Sequence, residues 1–190
     1  MNKNLILQNI AKHIQLNKKE ADYFLTLLKE HKLKRKQFLA VENDVAFVTK
    51  GCLRSYSIDT NGFEHILQFA PVDWWIGNMR NLIPQNNNLL NIDAIEDSEV
   101  LILSRHDQLK LFDEFPKFER FFRILMERAL VSANRRLMDI LALTAQQRYE
   151  SFCKYYPTLI SQLPQKYIAA YIGVTPEFLS KMKSTALKNT

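Results

Sequence analysis

Pro164-Gln-Lys-Tyr-Ile-Ala-Ala-Tyr-Ile172, then Gly173-Val174, then Thr175-Pro-Glu-Phe-Leu-Ser-Lys-Met-Lys183 is the stretch on which the fold turns. The first run sets Ile168, Ala169 and Ile172 on one face of a short helix. Gly173 permits a sharp turn, and the small Ala169 lets a second helix come close. Thr175 as N-cap, Pro176 at the first helical position and Glu177 in the first turn then restart a helix. Val174 and Leu179 can plug the corner. Two short helices joined in this way form a helix-turn-helix, whose second helix enters the major groove with its N-terminal end at the base edges. The outward residues would be Thr175, Pro176, Glu177, Ser180, Lys181 and Lys183, with Gln165 and Lys166 as further DNA contacts from the first helix. A glutamate there can accept from cytosine N4, and the lysines can reach guanine or phosphate.

A helical pair used only for packing gives the same pattern, and charge favours the DNA reading. Residues 144–190 hold 6 basic and 2 acidic groups against 20 and 18 in residues 1–143, so the last quarter carries +4 of the net +6. That excess suits a polyanionic partner.

Upstream, a helix over about 145–155 ends before Pro157. Before it, Pro116 opens a long helix that runs without Gly or Pro to about Leu143. Phe118, Phe122, Leu125, Ala129, Ala133, Leu137 and Ile140 recur at three and four residues, approximating a heptad seam for a homodimer. Phe121, Leu130 and Leu141 give a second apolar edge, so one edge could lie on the rest of the chain and the other on a second copy. The arginines between the stripes, Arg120, Arg123, Arg128, Arg135 and Arg136, argue for a partly exposed helix. A buried helix of a monomer is the competing expectation.

From Phe38 to Leu103 the pattern is of short β-branched and aromatic segments: Ala46–Val48, Leu53–Ile58, His65–Phe69, Leu90–Ala94 and Val100–Leu103. This predicts an all-β unit, a barrel or jelly roll, within an α+β chain. Asp59-Thr-Asn-Gly62 predicts a hairpin turn, with Asn61-Gly62 tolerating positive φ. Ile83-Pro-Gln-Asn-Asn-Asn88 reads as an exposed loop. Residues 5–30 read as two short helices, the second capped by Asn17 and carrying Ala21, Phe24, Leu25 and Leu28; residues 105–113 read as a third.

Cys52 and Cys153 match no metal-ligand spacing, and their number excludes a disulfide scaffold. The first residues lack the apolar core of a secretion signal, and no run approaches a membrane span. A cytoplasmic protein with no membrane partner and no cofactor is expected.

The order β unit, long helix, helix-turn-helix resembles the Crp/Fnr family of bacterial regulators. Lys50-Gly-Cys-Leu-Arg-Ser-Tyr56, Asn61-Gly-Phe-Glu-His-Ile-Leu-Gln-Phe-Ala-Pro71, Asp73-Trp-Trp-Ile76 and Pro116-Lys-Phe-Glu-Arg-Phe-Phe122 are similar to the subgroup abundant in Bacteroidetes. The resemblance implies a cyclic-nucleotide-binding-like jelly-roll sensor over 1–115, a dimerisation helix over 116–143 and a DNA-binding domain over 144–190. It implies double-stranded DNA, a second copy and RNA polymerase as partners, and a small-molecule effector of unknown identity. Relatives that bind cyclic AMP carry a phosphate cassette with a Gly-Glu pair followed by an Arg. Here the matching residues are Gly77, Asn78, Met79 and Arg80, then Asn88 and Leu89, so Asn stands at both the Glu and the Arg positions. Asn cannot make the bidentate, charge-assisted contacts of Arg, and cyclic AMP is not the expected effector. Two cysteines cannot hold an iron-sulfur cluster, and His13, His31, His65 and His106 are scattered. The segment between Leu39 and Phe47 is shorter than is usual in the family, and the stop at Thr190 leads us to expect a truncated or absent β wing. Two other classes fit less well. One is a regulator acting by protein contact with a weak DNA domain. The other is a cupin-type metalloenzyme, for which Glu64-His65 lacks a second nearby histidine.

Overall fold

The computed structural model describes residues 2–40, 43–77 and 90–188. Along the chain run α1 (Lys3–Ala11), α2 (Lys18–Thr26), β1 (Leu28–Leu33), β2 (Val45–Lys50), β3 (Leu53–Ile58), β4 (Glu64–Ala70), β5 (Trp75–Gly77), β6 (Asn91–Ala94) and β7 (Ser98–Leu103). Then follow α3 (Arg105–Glu114), α4 (Lys117–Ala142), α5 (Ala145–Tyr155), α6 (Gln165–Ile172) and α7 (Pro176–Lys188). The chain divides into two compact units, Met1–Tyr56 with Gln68–Arg128, and Ser57–Leu67 with Ala129–Thr190.

In the first unit the strands form an antiparallel sheet of order β1-β7-β2-β5, while β4, β3 and β6 form a second sheet in the order β4-β3-β6. Alternation along β2 and β7 sends side chains to two cores. Phe47, Leu101 and Leu103 pack with Ile6, Ile10, Phe24 and Leu111 of the helices. Ala46, Val48 and Val100 instead join Leu33, Leu53, Ile76 and Ile92. Asn17 caps α2 in a full capping box with Glu20, as its position predicts. The buried Glu20 also takes an ion pair from Lys117 at 2.8 Å, which ties the start of α4 to α2. That ammonium, then the Asn17 N–H, hold the Glu20 carboxyl below the usual range.

Three expectations need correction. Leu28, placed on the second helix, opens strand β1, which pairs with β7 from Leu28↔Leu103 to Leu33↔Ser98. Only its two end residues are buried, so Leu28-Lys-Glu-His-Lys-Leu33 has no period-two signature. It is a sheet edge, where polar residues on both faces are tolerated. Strand β5 was not expected either. It is three residues long, preceded by Asp73 at φ 72°, and held by Asn9, which donates to the Asp73 carbonyl at 3.0 Å and accepts from Trp75 Nε1 at 3.0 Å.

The third correction concerns α4. Phe118 and Phe122, expected at a dimer seam, are 0% and 7% exposed in the chain's own core with Phe121. Phe118 stacks on Phe24 at 5.3 Å, and Leu125 packs against the same cluster. Phe118 and Phe122 are thus spent on the core of the first unit, and Leu125 is partly covered by it. The exposed apolar side chains of α4 begin at Met126 and continue through Leu130, Val131, Leu137, Met138, Ile140 and Leu141.

The hairpin between β3 and β4 forms as predicted at Asp59–Gly62. Gly62 takes the positive φ of 82°, its N–H donates to the Asp59 carbonyl at 3.0 Å, and the Asp59 carboxylate accepts from Asn61 N–H at 2.8 Å. The β3–β6 pair carries a buried ion pair. Arg54 donates from Nε and Nη2 to both oxygens of Asp93, at 2.7 and 2.9 Å, with side chains 4% and 7% exposed. Asp93→Ala leaves that guanidinium buried without its carboxylate and should cost about 3–5 kcal/mol in urea unfolding. A loss below about 1 kcal/mol, the scale of an exposed pair, would show that the bridge is not what holds Arg54 in place.

Candidate nucleic-acid interface

The second unit is built on α5, α6 and α7. Thr144 caps α5 in a capping box with Gln147. Phe152, Leu159, Leu163, Ile168, Ala169, Ile172 and Leu179 are buried. Phe152, Tyr156 and Tyr171 pack with ring centroids 5.3 to 5.6 Å apart. Ile168, Ala169 and Ile172 point inward as their spacing predicts, and Leu179 is the buried anchor of α7.

The turn between α6 and α7 has the predicted chemistry. Gly173 sits at φ 75° in the left-handed region, and its N–H and that of Val174 donate to the Ala169 carbonyl at 2.9 and 3.0 Å. Thr175 Oγ1 accepts from the Phe178 N–H at 3.2 Å, which makes it the N-cap of α7. The α6 end is held further by two arginines. Arg148 donates from Nε to the Ile172 carbonyl at 2.8 Å and from Nη1 to the Leu143 carbonyl at 2.9 Å. Arg136 donates to the Tyr171 carbonyl at 2.8 Å and to the Ile66 and Leu67 carbonyls, with its guanidinium 4.1 Å from the Tyr171 ring centroid. Burial lowers the Arg136 pKa from its ordinary value, and its Nε is buried with no acceptor. Arg136, counted among the signs of an exposed helix face, is therefore an inward structural residue.

With α7 fixed, its free edge is defined. Gln165, Lys166, Thr175, Pro176, Glu177, Ser180 and Lys181 are exposed. Lys183 is half-buried, its ammonium 5.5 Å from the Tyr149 ring centroid, so it rests on α5. Phe178, which the outward set omitted, is 51% exposed beside Glu177. Leu179 is the fully buried neighbour, and one residue of α-helical rotation leaves Phe178 outside. The edge thus offers a carboxylate, two hydroxyls, an aromatic ring and a cation.

Of the expected ligand cassette, Gly77 ends β5 opposite Val45; a Cβ there would come 3.0 Å from the Asp44 carbonyl, so close packing accounts for the glycine. Asn78, Met79, Arg80, Asn88 and Leu89, and the loop from Ile83, lie outside the described residues. Burial pushes the Cys52 thiol up to about 12, leaving it protonated. Among the described residues no group of three or more His, Cys, Asp or Glu converges to hold a metal ion, and no helix is long and apolar enough to cross a membrane.

No family model and no curated protein sequence matches the chain. Solved structures do. FixK2 from Bradyrhizobium japonicum matches with a TM-score of 0.73 at 19% identity, over 85% of this chain and 85% of its own. CLP from Xanthomonas campestris, a c-di-GMP responsive global regulator, gives 0.74 at 11% identity over 91% of this chain and 93% of its own. A protein from Eubacterium rectale assigned to the Crp/Fnr family of transcriptional regulators gives 0.69 at 16% identity over 88% and 82%. The chain has the fold of Crp/Fnr transcription regulators.

A Cβ at residue 173 would meet nothing within 4 Å, so the cost of a side chain there is conformational alone. Gly173→Ala should lower stability by about 1–2 kcal/mol, and Gly173→Asn by less, since Asn tolerates the left-handed region. Equal losses for the two in guanidinium titrations would mean that something other than φ is at stake.

Proposed function

We propose that this protein is a homodimeric, sequence-specific DNA-binding transcription regulator of the Crp/Fnr type, acting in the cytoplasm. In this reading the two antiparallel sheets are a cyclic-nucleotide-binding-like jelly roll serving as sensor. Residues 144–190 are the DNA-binding part, with α6 and α7 as the helix-turn-helix and α7 as the groove helix. The observation that carries it is the α7 edge: Thr175 caps the helix, Leu179 locks it, and Glu177, Ser180 and Lys181 stand free at its N-terminal end. An N-terminal helix edge of this kind is what base readout requires. Asn78 and Asn88 in place of Glu and Arg argue against cyclic AMP as effector. RNA polymerase is the natural further partner of such a regulator.

For the dimer we place the seam along Met126, Leu130, Ala133, Leu137 and Ile140, which are spaced by four, three, four and three residues and are all exposed. Ala129 and Leu141 flank it. This keeps Ala129, Ala133, Leu137 and Ile140 of the expected stripe and moves its start from Phe118 to Met126. Leu130→Glu with Leu137→Glu should give folded monomers in sedimentation velocity, because like charges would be buried face to face. A double variant that stays dimeric puts the interface elsewhere.

A two-fold dimer with two groove helices should select a palindrome with half-site centres about 34 Å apart. Genomic fragment selection supplies the operator, and isotherms on matched and mismatched versions at several salt concentrations supply the roles. Glu177→Ala should relax preference at one base pair by about 1–3 kcal/mol. Lys181→Ala, if it binds phosphate, should weaken all sequences alike and reduce the salt slope by about one. A wild type without sequence preference would favour a regulator acting through protein contacts.

A further inference from the structure

A cleft of about 570 Å³ opens in the first unit beside the start of α4, a volume typical of small-molecule sites. Its floor is apolar, made by Val45 of β2, Phe112 of α3, and Phe122 and Met126 of α4. The Phe112 and Phe122 ring centroids are 5.5 Å apart. Its rim is cationic, with Arg105, Arg120 and Arg123 set against Glu119.

The three arginines are not equivalent. Arg123 is ion-paired to Glu127, one turn along the helix. Arg105 donates from Nη1 to the neutral Oε1 of the buried Gln108 at 2.5 Å, which positions its guanidinium without discharging it. Its backbone N–H donates to Asp44 Oδ1 at 2.9 Å. Arg120 makes no hydrogen bond or ion pair among the described residues. With Arg123 answered by Glu127, the remaining charged side chains that line the cleft are Arg105, Arg120 and Glu119. Asn43 Oδ1, which also lines the cleft, is buried and accepts no hydrogen bond among the described residues.

We propose that this cleft binds an amphiphilic monocarboxylate, its apolar body on the Val45, Phe112, Phe122 and Met126 floor and its carboxylate held by Arg105 and Arg120. The floor supplies burial and the paired guanidiniums supply charge-assisted hydrogen bonds to a planar carboxylate. Glu119 repels a second negative charge, which disfavours dicarboxylates and phosphate monoesters. The site lies entirely in the first unit and stands whether or not α7 binds DNA.

Octanoate and octanol share an apolar body and differ in the carboxylate, so calorimetry of both against the full chain isolates the rim. Octanoate should bind saturably, one per chain, at least about tenfold tighter than octanol. Arg120→Ala, at an exposed position where folding is not at stake, should weaken octanoate about tenfold and leave octanol unchanged. Arg105→Gln should act in the same sense, and Glu119→Gln should tighten octanoate. Trp75, its ring centroid 5.6 Å from that of Phe122, gives an independent fluorescence signal for the same titrations. Equal affinity for the acid and the alcohol, indifference of octanoate to both arginine variants, or no saturable binding of octanoate overturns the proposal.

Discussion

The phase of α4 is the constraint on which the other features hang. Phe118, Phe121 and Phe122 are buried against the first unit, a contribution of about 1.5–3 kcal/mol per side chain, and they fix which way the helix is turned. An α-helix advances about 100° per residue, so the neighbouring positions of the helix take their direction from that anchor. Met126, Leu130, Ala133 and Leu137 then fall on one line roughly 100° away from the Phe118 line, and all four are exposed. Further along, within the second unit, Arg136 meets the Ile66, Leu67 and Tyr171 carbonyls. One helix therefore carries buried aromatics, an inward arginine and an uncovered apolar strip.

The inward arginine explains how α7 is positioned. The last carbonyls of a helix have no intrahelical partner and carry partial negative charge. On α6 those of Tyr171 and Ile172 receive Arg136 and Arg148, while Gly173 turns the chain away in the left-handed conformation. A guanidinium suits this place because it stays charged despite burial and offers donors in several directions. The orphaned Arg136 Nε is the cost of fitting one fork to three carbonyls. The direction in which α7 leaves the turn is thus set by α4 and α5 as much as by its own cap.

Much of this was legible in the sequence, for reasons that are local. Asn17 and Thr175 cap the helices they precede, Gly62 and Gly173 take positive φ, and five strands follow from β-branched runs between turn residues. What escaped is non-local. Strand β1 has helical spacing up to Leu28 and becomes a strand because β7 offers it a ladder. Phe118 and Phe122 share the three-and-four spacing of Leu125, Ala129, Ala133, Leu137 and Ile140, and only the packed core separates the buried aromatics from the exposed residues that follow. Arg136 looks like its neighbours Arg135 and Arg128 until the carbonyls it caps are known. Phe178, apolar and so expected inward, is 51% exposed beside the buried Leu179.

These features bear on how a protein of this kind could hold DNA. On the proposed reading, each copy would offer DNA few cations along the α6–α7 edge. Lys181 and Lys166 are exposed, whereas Lys183 rests on Tyr149. The sequence-independent part of affinity scales with the number of phosphates neutralised, so a single copy starts with a small electrostatic contribution. Joining two copies makes the second contact intramolecular and raises affinity without any new residue. On the proposed reading, then, occupancy of an operator depends steeply on the α4 seam and weakly on bulk charge. Met126 belongs both to that seam and to the floor of the arginine-rimmed cleft, so a ligand lying on the floor touches a side chain that the partner helix also needs.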